Sequence, residues 1–414
     1  MKTKFWKALG PGIIWAGAAI GVSHLVQSTR AGAGFGFELV GLVLLVNLLK
    51  YPFFEFGPRY AIASGESLVH GYLRFGKWAV YLFLVMTLGT MFTIQAAVSA
   101  VTVGIISSIF PGILSYQGWI ILIFGLCLLI IVVGKYKTLD RVMKVIIMIL
   151  SLSTIVAVIT ATTKGYHPNP EFAKSFTWSA TDIAFIIALA GWMPSAIDIS
   201  VWHSMWTLAK IKHTGHYPSL KHALLDFKIG YIGTVILAMA FLSLGALCMY
   251  GSGISFSQSG ATFATQLFNL YTSTIGSWAY PIIAVAAATT MFSTTLTVLD
   301  AYPRVMKPVS QILVPAFQKE KAGKYLNFFW ITFLLSGAFL IMTSFATQMK
   351  LLVDIATSLS FVTAPILGYL NFKAVTGKNI SQENQPGKAL KIHSWTSLVI
   401  LSVFALYFIA TILF

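Results

Sequence analysis

From Gly10 to Phe37 the chain reads GPGIIWAGAAIGVSHLVQSTRAGAGFGF. The stretch is apolar enough to enter a bilayer, yet too interrupted to cross it as one plain helix. Gly10, Pro11 and Gly12 open it, Gly21-Val22-Ser23-His24 breaks its middle, and Gly32, Gly34 and Gly36 close it. Water is absent at membrane depth, so irregular backbone persists there only where it is buried in protein or lines a cavity. Interrupted helices near the midplane are where carriers place their cargo. The stretch predicts a membrane transporter in which these residues form half of a central site.

Of the 414 residues, 57% are hydrophobic and only 10% charged, with a mean hydropathy of +0.81. Soluble domains carry about 25% charged residues, so an integral membrane protein is expected. Windows of about 20 apolar residues give eleven spans, near 10–36, 38–60, 79–110, 115–134, 142–163, 181–209, 224–250, 275–302, 326–346, 349–372 and 394–413. The first and sixth are interrupted, and the tenth is a further candidate for a break. Residues 256–272 read as a short interfacial helix before the eighth span. No soluble domain fits between the spans. The start MKTKFWKALGPG offers no small-residue cleavage site after its basic patch, so the first apolar run is expected to be kept.

The net charge of +16 would suggest nucleic acid in a soluble chain. Here most of the 28 Lys and Arg residues fall in connections of one parity, from Lys2, Lys4 and Lys7 to Lys388 and Lys391. The other side holds only Arg30, Lys164, Lys174 and Lys350, and Lys50 lies inside the second span. This asymmetry supports the span count and a cytoplasmic N-terminus, and it removes nucleic acid as a partner. A bacterial inner (plasma) membrane location is expected. Cys127 and Cys248 sit in apolar segments and read as small packed hydrophobes.

The sixth span repeats the rhythm of the first. It reads ALAGWMPSAID from Ala188 to Asp198, with Gly191 and Pro194 at the break; proline removes a backbone donor and clashes one turn back. Two broken helices five spans apart suggest a five-plus-five inverted repeat within one transmembrane domain covering 1–414. Its halves would lie near 8–165 and 180–375, with 394–413 appended.

These residues resemble the Nramp (SLC11) family of divalent-metal transporters. LGPGIIWAGAA (Leu9 to Ala19) and AGAGFGF (Ala31 to Phe37) are similar to the opening and close of the family's first helix. Asn47, Arg59 and Ser64-Gly65-Glu66 are similar to its second helix and the loop after it, and AGWMPS (Ala190 to Ser195) to its sixth-helix break. The resemblance implies an all-α, LeuT-like fold with alternating access, and usually proton-linked uptake of manganese or iron. The chain also departs from the family. Gly21, Val22, Ser23 and His24 stand where the family has Asp-Pro-Gly-Asn. Ser195 and Ser200 replace two sixth-helix histidines, and AAVSAVTVG (Ala96 to Gly104) lacks the third helix's acids. What matches the family's metal pocket is Met193 and the backbone carbonyls near Ala18 and Ala190.

The candidate substrate site is therefore Ala18, Gly21, Ser23, His24, Ala190, Met193 and Ser195. A transition metal would draw on the imidazole of His24, the thioether of Met193 and the carboxylate of Asp198. Asp198 lies five residues beyond Met193, about 140° away on a regular helix, so only the break at Pro194 would bring the two together. The alternative for His24 is an imidazole hydrogen-bonded in place of the missing signature. Asp198 is also the candidate proton carrier, or else the structural partner of a cation or His203. Ser293 and Thr294, in ATTMFSTTLTVLD, are candidates for holding a coupling sodium; the alternative is ordinary hydroxyl bonding within the bundle. Lys50 and Glu55 are expected to pair across Pro52, the alternative being a gate on the inner vestibule; Asp300 is expected to pair with Arg304; and Trp192, Trp202 and Trp206 would either wall a bulkier solute or pack and anchor at the interface.

No nucleophile-base-acid set and no phosphate loop in the right context appears, so no enzyme and no cofactor is expected. Two cargo readings stand. One is a divalent metal moved through an altered site, with a proton or sodium as coupling ion; the other is a small organic solute or amino acid on the same scaffold.

Overall fold

The structure, a computed structural model, describes residues 10–133, 136–163, 165 and 168–413. Lys2, Lys4, Lys7, Lys135 and Lys164 lie outside the described residues, as does the start of the first proposed repeat.

The described chain is a helical bundle. Its first span is broken as expected. Helix α1 (Pro11–Ala19) has proline at its first turn and ends where Ile20 leaves helical geometry (φ −76°, ψ 90°). A π-helical turn, Ser23–Ser28, follows and runs into α2 (Thr29–Phe35), which Gly36 stops with a positive φ of 57°. Proline suits a first turn because its missing N–H would have no partner there. The Asp226 carboxylate takes up the amides of Gly10 and Gly12 at 3.1 and 2.7 Å, so a neighbouring helix caps this one.

Long helices then cross the bundle: α3 (Val40–Ser64), α5 (Lys77–Ile109), α6 (Tyr116–Val133) and α7 (Tyr136–Thr163), with the short α4 (Leu68–Leu73) between α3 and α5. The sixth span is broken as well. Helix α8 (Ala180–Gly191) is capped by Ser179, whose hydroxyl accepts from the Asp182 amide, and α9 (Ile199–Thr214) resumes after a non-helical stretch from Trp192 to Asp198. Helix α10 (Leu220–Met249) follows. Helix α11 (Gly260–Ile275) matches the short helix read before the eighth span, and α12 (Tyr280–Leu313), α13 (Glu320–Ser344), α14 (Met349–Val375) and α15 (Lys388–Leu413) complete the chain. The tenth span is not interrupted: α14 runs on through Pro365.

Among the described residues, eight helices are long and apolar enough to cross a membrane. The other expected spans fall on the two broken helices and on α7. The bundle has a centre and a rim. Helices α5 and α12 are largely buried, while α6, α13 and α15 turn large apolar side chains outward, among them Leu129, Phe328 and Leu406. On a soluble surface such patches would drive association; here they are the lipid face.

Glycine decides how closely the break of the sixth span is held. A β-carbon on Gly191 would run into the carbonyl of Thr357 on α14, so only glycine lets these two backbones meet.

A candidate transport centre between two broken helices

The two breaks face each other across a cavity of about 30 Å³. Ala18, Ala19, Val22 and Ser23 contribute from the first span, and Trp192, Ser195, Ala196, Ile199 and Trp202 from the sixth. Ile94 and Val98 of α5 and Thr294 and Val298 of α12 close the sides. The space is large enough for water and far below the roughly 300 Å³ typical of ligand pockets. The side chains of the wall are apolar except for the hydroxyls of Ser23, Ser195 and Thr294 and the indole N–H groups of Trp192 and Trp202.

His24 is fully buried and both ring nitrogens are engaged. Nε2 lies 2.9 Å from the carbonyl of Thr234 on α10, and Nδ1 lies 2.7 Å from Oγ of Ser23. A carbonyl only accepts, so Nε2 carries a proton. In the neutral imidazole Nδ1 is then the acceptor for the Ser23 hydroxyl, whose other acceptor within reach is the Ala19 carbonyl at 2.8 Å. No ring lone pair is left over. This is the hydrogen-bonded arrangement that stood as the alternative to a ligand.

Met193 is fully buried, and its peptide bond to Pro194 is cis. Asp198 ends the break. Its Oδ2 accepts from the Tyr302 hydroxyl of α12 at 2.8 Å. His203 is not its partner; that ring stacks against Trp15. Among the described residues, no three or more His, Cys, Asp and Glu side chains are grouped to hold a metal ion.

Lys50 departs from the expected pairing. Glu55 instead takes Arg59 at 2.6 Å and the Tyr51 hydroxyl at 2.6 Å. The Lys50 ammonium crosses to the sixth-span break and donates to the carbonyls of Ala190, Gly191 and Ser195 at 2.6, 2.7 and 3.2 Å. These carbonyls belong to the end of α8 and the stretch beyond it. The last carbonyls of a helix lack intrahelical partners and carry partial negative charge, which explains the attraction.

On α12, the Thr294 hydroxyl bonds back to the Thr290 carbonyl at 3.0 Å, and Ser293 is buried beside it. A β-carbon on Gly21 would meet the Thr294 side chain at 3.0 Å, so α12 lies hard against the break of the first span. Asp300 pairs with Arg304 at 2.6 Å, as its spacing predicts. Trp192 is fixed by a hydrogen bond to Ser360 at 2.8 Å, and Trp202 stands edge-on to Tyr302.

Two polar groupings were not foreseen. Gln95 on α5 is buried and donates to Ser99 at 2.9 Å; it sits one residue before the neutral run that drew attention. Gln27 and Arg30, in the second half of the first span, both reach Asp354 of α14. Their one-sided place among few basic residues was the available signal, but the partner lies 324 residues away.

Comparison with known proteins agrees with this architecture. The family described as Nramp, natural resistance-associated macrophage protein-like, matches residues 12–411. An uncharacterized protein of Pasteurella multocida is 37% identical over 97% of this chain and 92% of its own length. Among solved structures, the manganese transporter of Eremococcus coleocola superposes with a TM-score of 0.63 at 13% identity, covering 99% of this chain and 87% of that one. MhsT in complex with L-phenylalanine gives 0.61 at 15% identity, covering 96% and 97%. Mhp1, a nucleobase-cation-symport-1 family transporter, gives 0.59 at 13%, covering 97% and 93%. Two broken helices closing on one small cavity, in a bundle of this shape, are the frame of a LeuT-like transporter, and the chain belongs to the Nramp family.

Proposed function

We propose that this Nramp-family transporter moves a small organic solute by alternating access, through the space between its two broken helices. The observation that carries this reading is the chemistry of the cavity wall. It presents tryptophan, aliphatic side chains and three hydroxyls, with no carboxylate, imidazole or thioether among its lining residues. A dehydrated divalent ion needs a shell of oxygen, nitrogen or sulfur ligands, whereas a small solute of largely apolar body needs a fitted wall and few polar contacts. In this reading Ala18, Ser23 and Ser195 touch cargo, Gly21 lets the first break approach α12, and His24 and Met193 hold the breaks in shape. Asp198, with Ser293 and Thr294, is the candidate for coupling to a proton or sodium. The halves near 8–165 and 180–375 would move against each other, with 394–413 outside them, in a bacterial inner membrane with the N-terminus cytoplasmic.

Divalent-metal transport is the second reading. It is favoured by family membership and by the manganese carried by the Eremococcus coleocola relative, and it would use Met193, Asp198 and the Ala190 carbonyl after rearrangement. The test is flux into proteoliposomes. Counterflow of labelled small neutral or zwitterionic solutes, with no saturable entry of manganese, iron, zinc or cobalt ions, is expected. Saturable metal entry without solute counterflow overturns the solute reading.

A further inference from the structure

Lys50 poses a question that cargo does not answer. A fully buried ammonium inside a membrane bundle is costly and usually functional. Three N–H groups are all it has to offer, and all three are satisfied by backbone carbonyls from a single break. Three oxygens around one positive centre at the negative end of a half-helix are the surroundings that carriers give a bound cation. Here the positive centre is tied to α3 by its own side chain. Asp198, at the far end of the same break, is held by Tyr302.

We propose that Lys50 is a built-in cation: its ammonium fills an oxygen site formed by the carbonyls of Ala190, Gly191 and Ser195 that would otherwise take a dissolved metal or alkali ion. The closed break is then held by a side chain, and its stability is independent of the ions in solution. Removing the ammonium uncovers a cation site. This inference rests on reading the breaks as the transport centre, and its readout is ion binding, so it stands or falls apart from the identity of the cargo.

The experiment measures thermal unfolding of purified full-length protein in choline chloride. Choline is then replaced at constant ionic strength by sodium or potassium chloride, or in part by magnesium or manganese chloride. Wild type, Lys50→Arg and Lys50→Met are expected to unfold at temperatures that do not depend on the cation, because charge or stem still fills the site. Lys50→Ala is expected to unfold at lower temperature in choline and to recover saturably with at least one of the ions. A saturable cation response in wild type overturns the proposal, as does a folded Lys50→Ala that responds to no ion. If Lys50→Ala does not fold, Lys50→Ser, whose short side chain also leaves the site empty, takes its place, and a folded Lys50→Ser without cation response overturns the proposal equally.

Discussion

Arg30 and Asp354 meet in a two-pronged ion pair, Nη1 to Oδ1 at 2.6 Å and Nη2 to Oδ2 at 2.9 Å. The pair joins α2, the second half of the first broken helix, to α14. Gln27 completes it, accepting from Arg30 at 2.8 Å and donating to Asp354 at 3.1 Å. Planar two-point recognition of a carboxylate is a property of arginine that lysine does not share. Arg30 lines two surface hollows and Asp354 lines one of them, which makes the pair a candidate latch beside the central cavity.

Replacing Asp354 by Asn removes the charge and one of the two prongs. Charge-assisted hydrogen bonds are worth about 1.5–3 kcal/mol, so the closed state should weaken by roughly tenfold or more. A cysteine placed at Ser358, in a background with Cys127 and Cys248 replaced by serine, should react faster with a membrane-impermeant thiol reagent. Unchanged labelling of Asp354→Asn would show that this pair does not hold the outer side shut. Exchanging the two residues, Arg30→Asp with Asp354→Arg, should recover part of the loss.

Gly191→Ala tests the close approach of α8 and α14. The added methyl would have to displace the Thr357 backbone, and overpacking of a tight contact costs about 1–3 kcal/mol, occasionally more. The expected outcome is a clear fall in unfolding temperature together with loss of transport. Gly34→Ala serves as the control, because nothing lies within reach of its added carbon. Equal behaviour of the two variants would refute the packing argument.

His24→Ala should lower stability by about 1–3 kcal/mol, since it leaves the Thr234 carbonyl short of a donor in a buried place, while the Ser23 hydroxyl turns to the Ala19 carbonyl. Cargo preference should stay as in wild type. A change in metal selectivity with stability intact would return His24 to the role of ligand.

Asp198→Asn keeps an acceptor for the Tyr302 hydroxyl and removes the carboxylate. If Asp198 couples cargo to an ion gradient, concentrative uptake should be lost while exchange of cargo across the membrane continues. Loss of both, matched by Tyr302→Phe, would assign the pair to structure alone. The split between uptake and exchange is what a purely structural residue would not produce.

How far the chain could be read follows from the range of each interaction. The glycines and Pro194 mark both breaks without any knowledge of neighbours, because backbone freedom and a missing amide are local properties. Asp300 and Arg304 were legible for the same reason, being one helical turn apart. Lys50 was misread because the nearest acid in the sequence, Glu55, already has Arg59 and Tyr51, while the true acceptors are peptide carbonyls with no sequence signature.

The sequence by itself determined a helical membrane bundle, the positions of its spans and the two places where helices could not continue. These follow from apolar run length and from the conformational limits of single residues. Only the tertiary structure decided what each polar side chain does. His24 turns to the Thr234 carbonyl of α10, Lys50 to the broken end of α8, and Asp198 to Tyr302 of α12. Inside a bilayer a polar group must find its partner within the protein, and that partner is set by which helices pack together, not by which residues are adjacent in the chain.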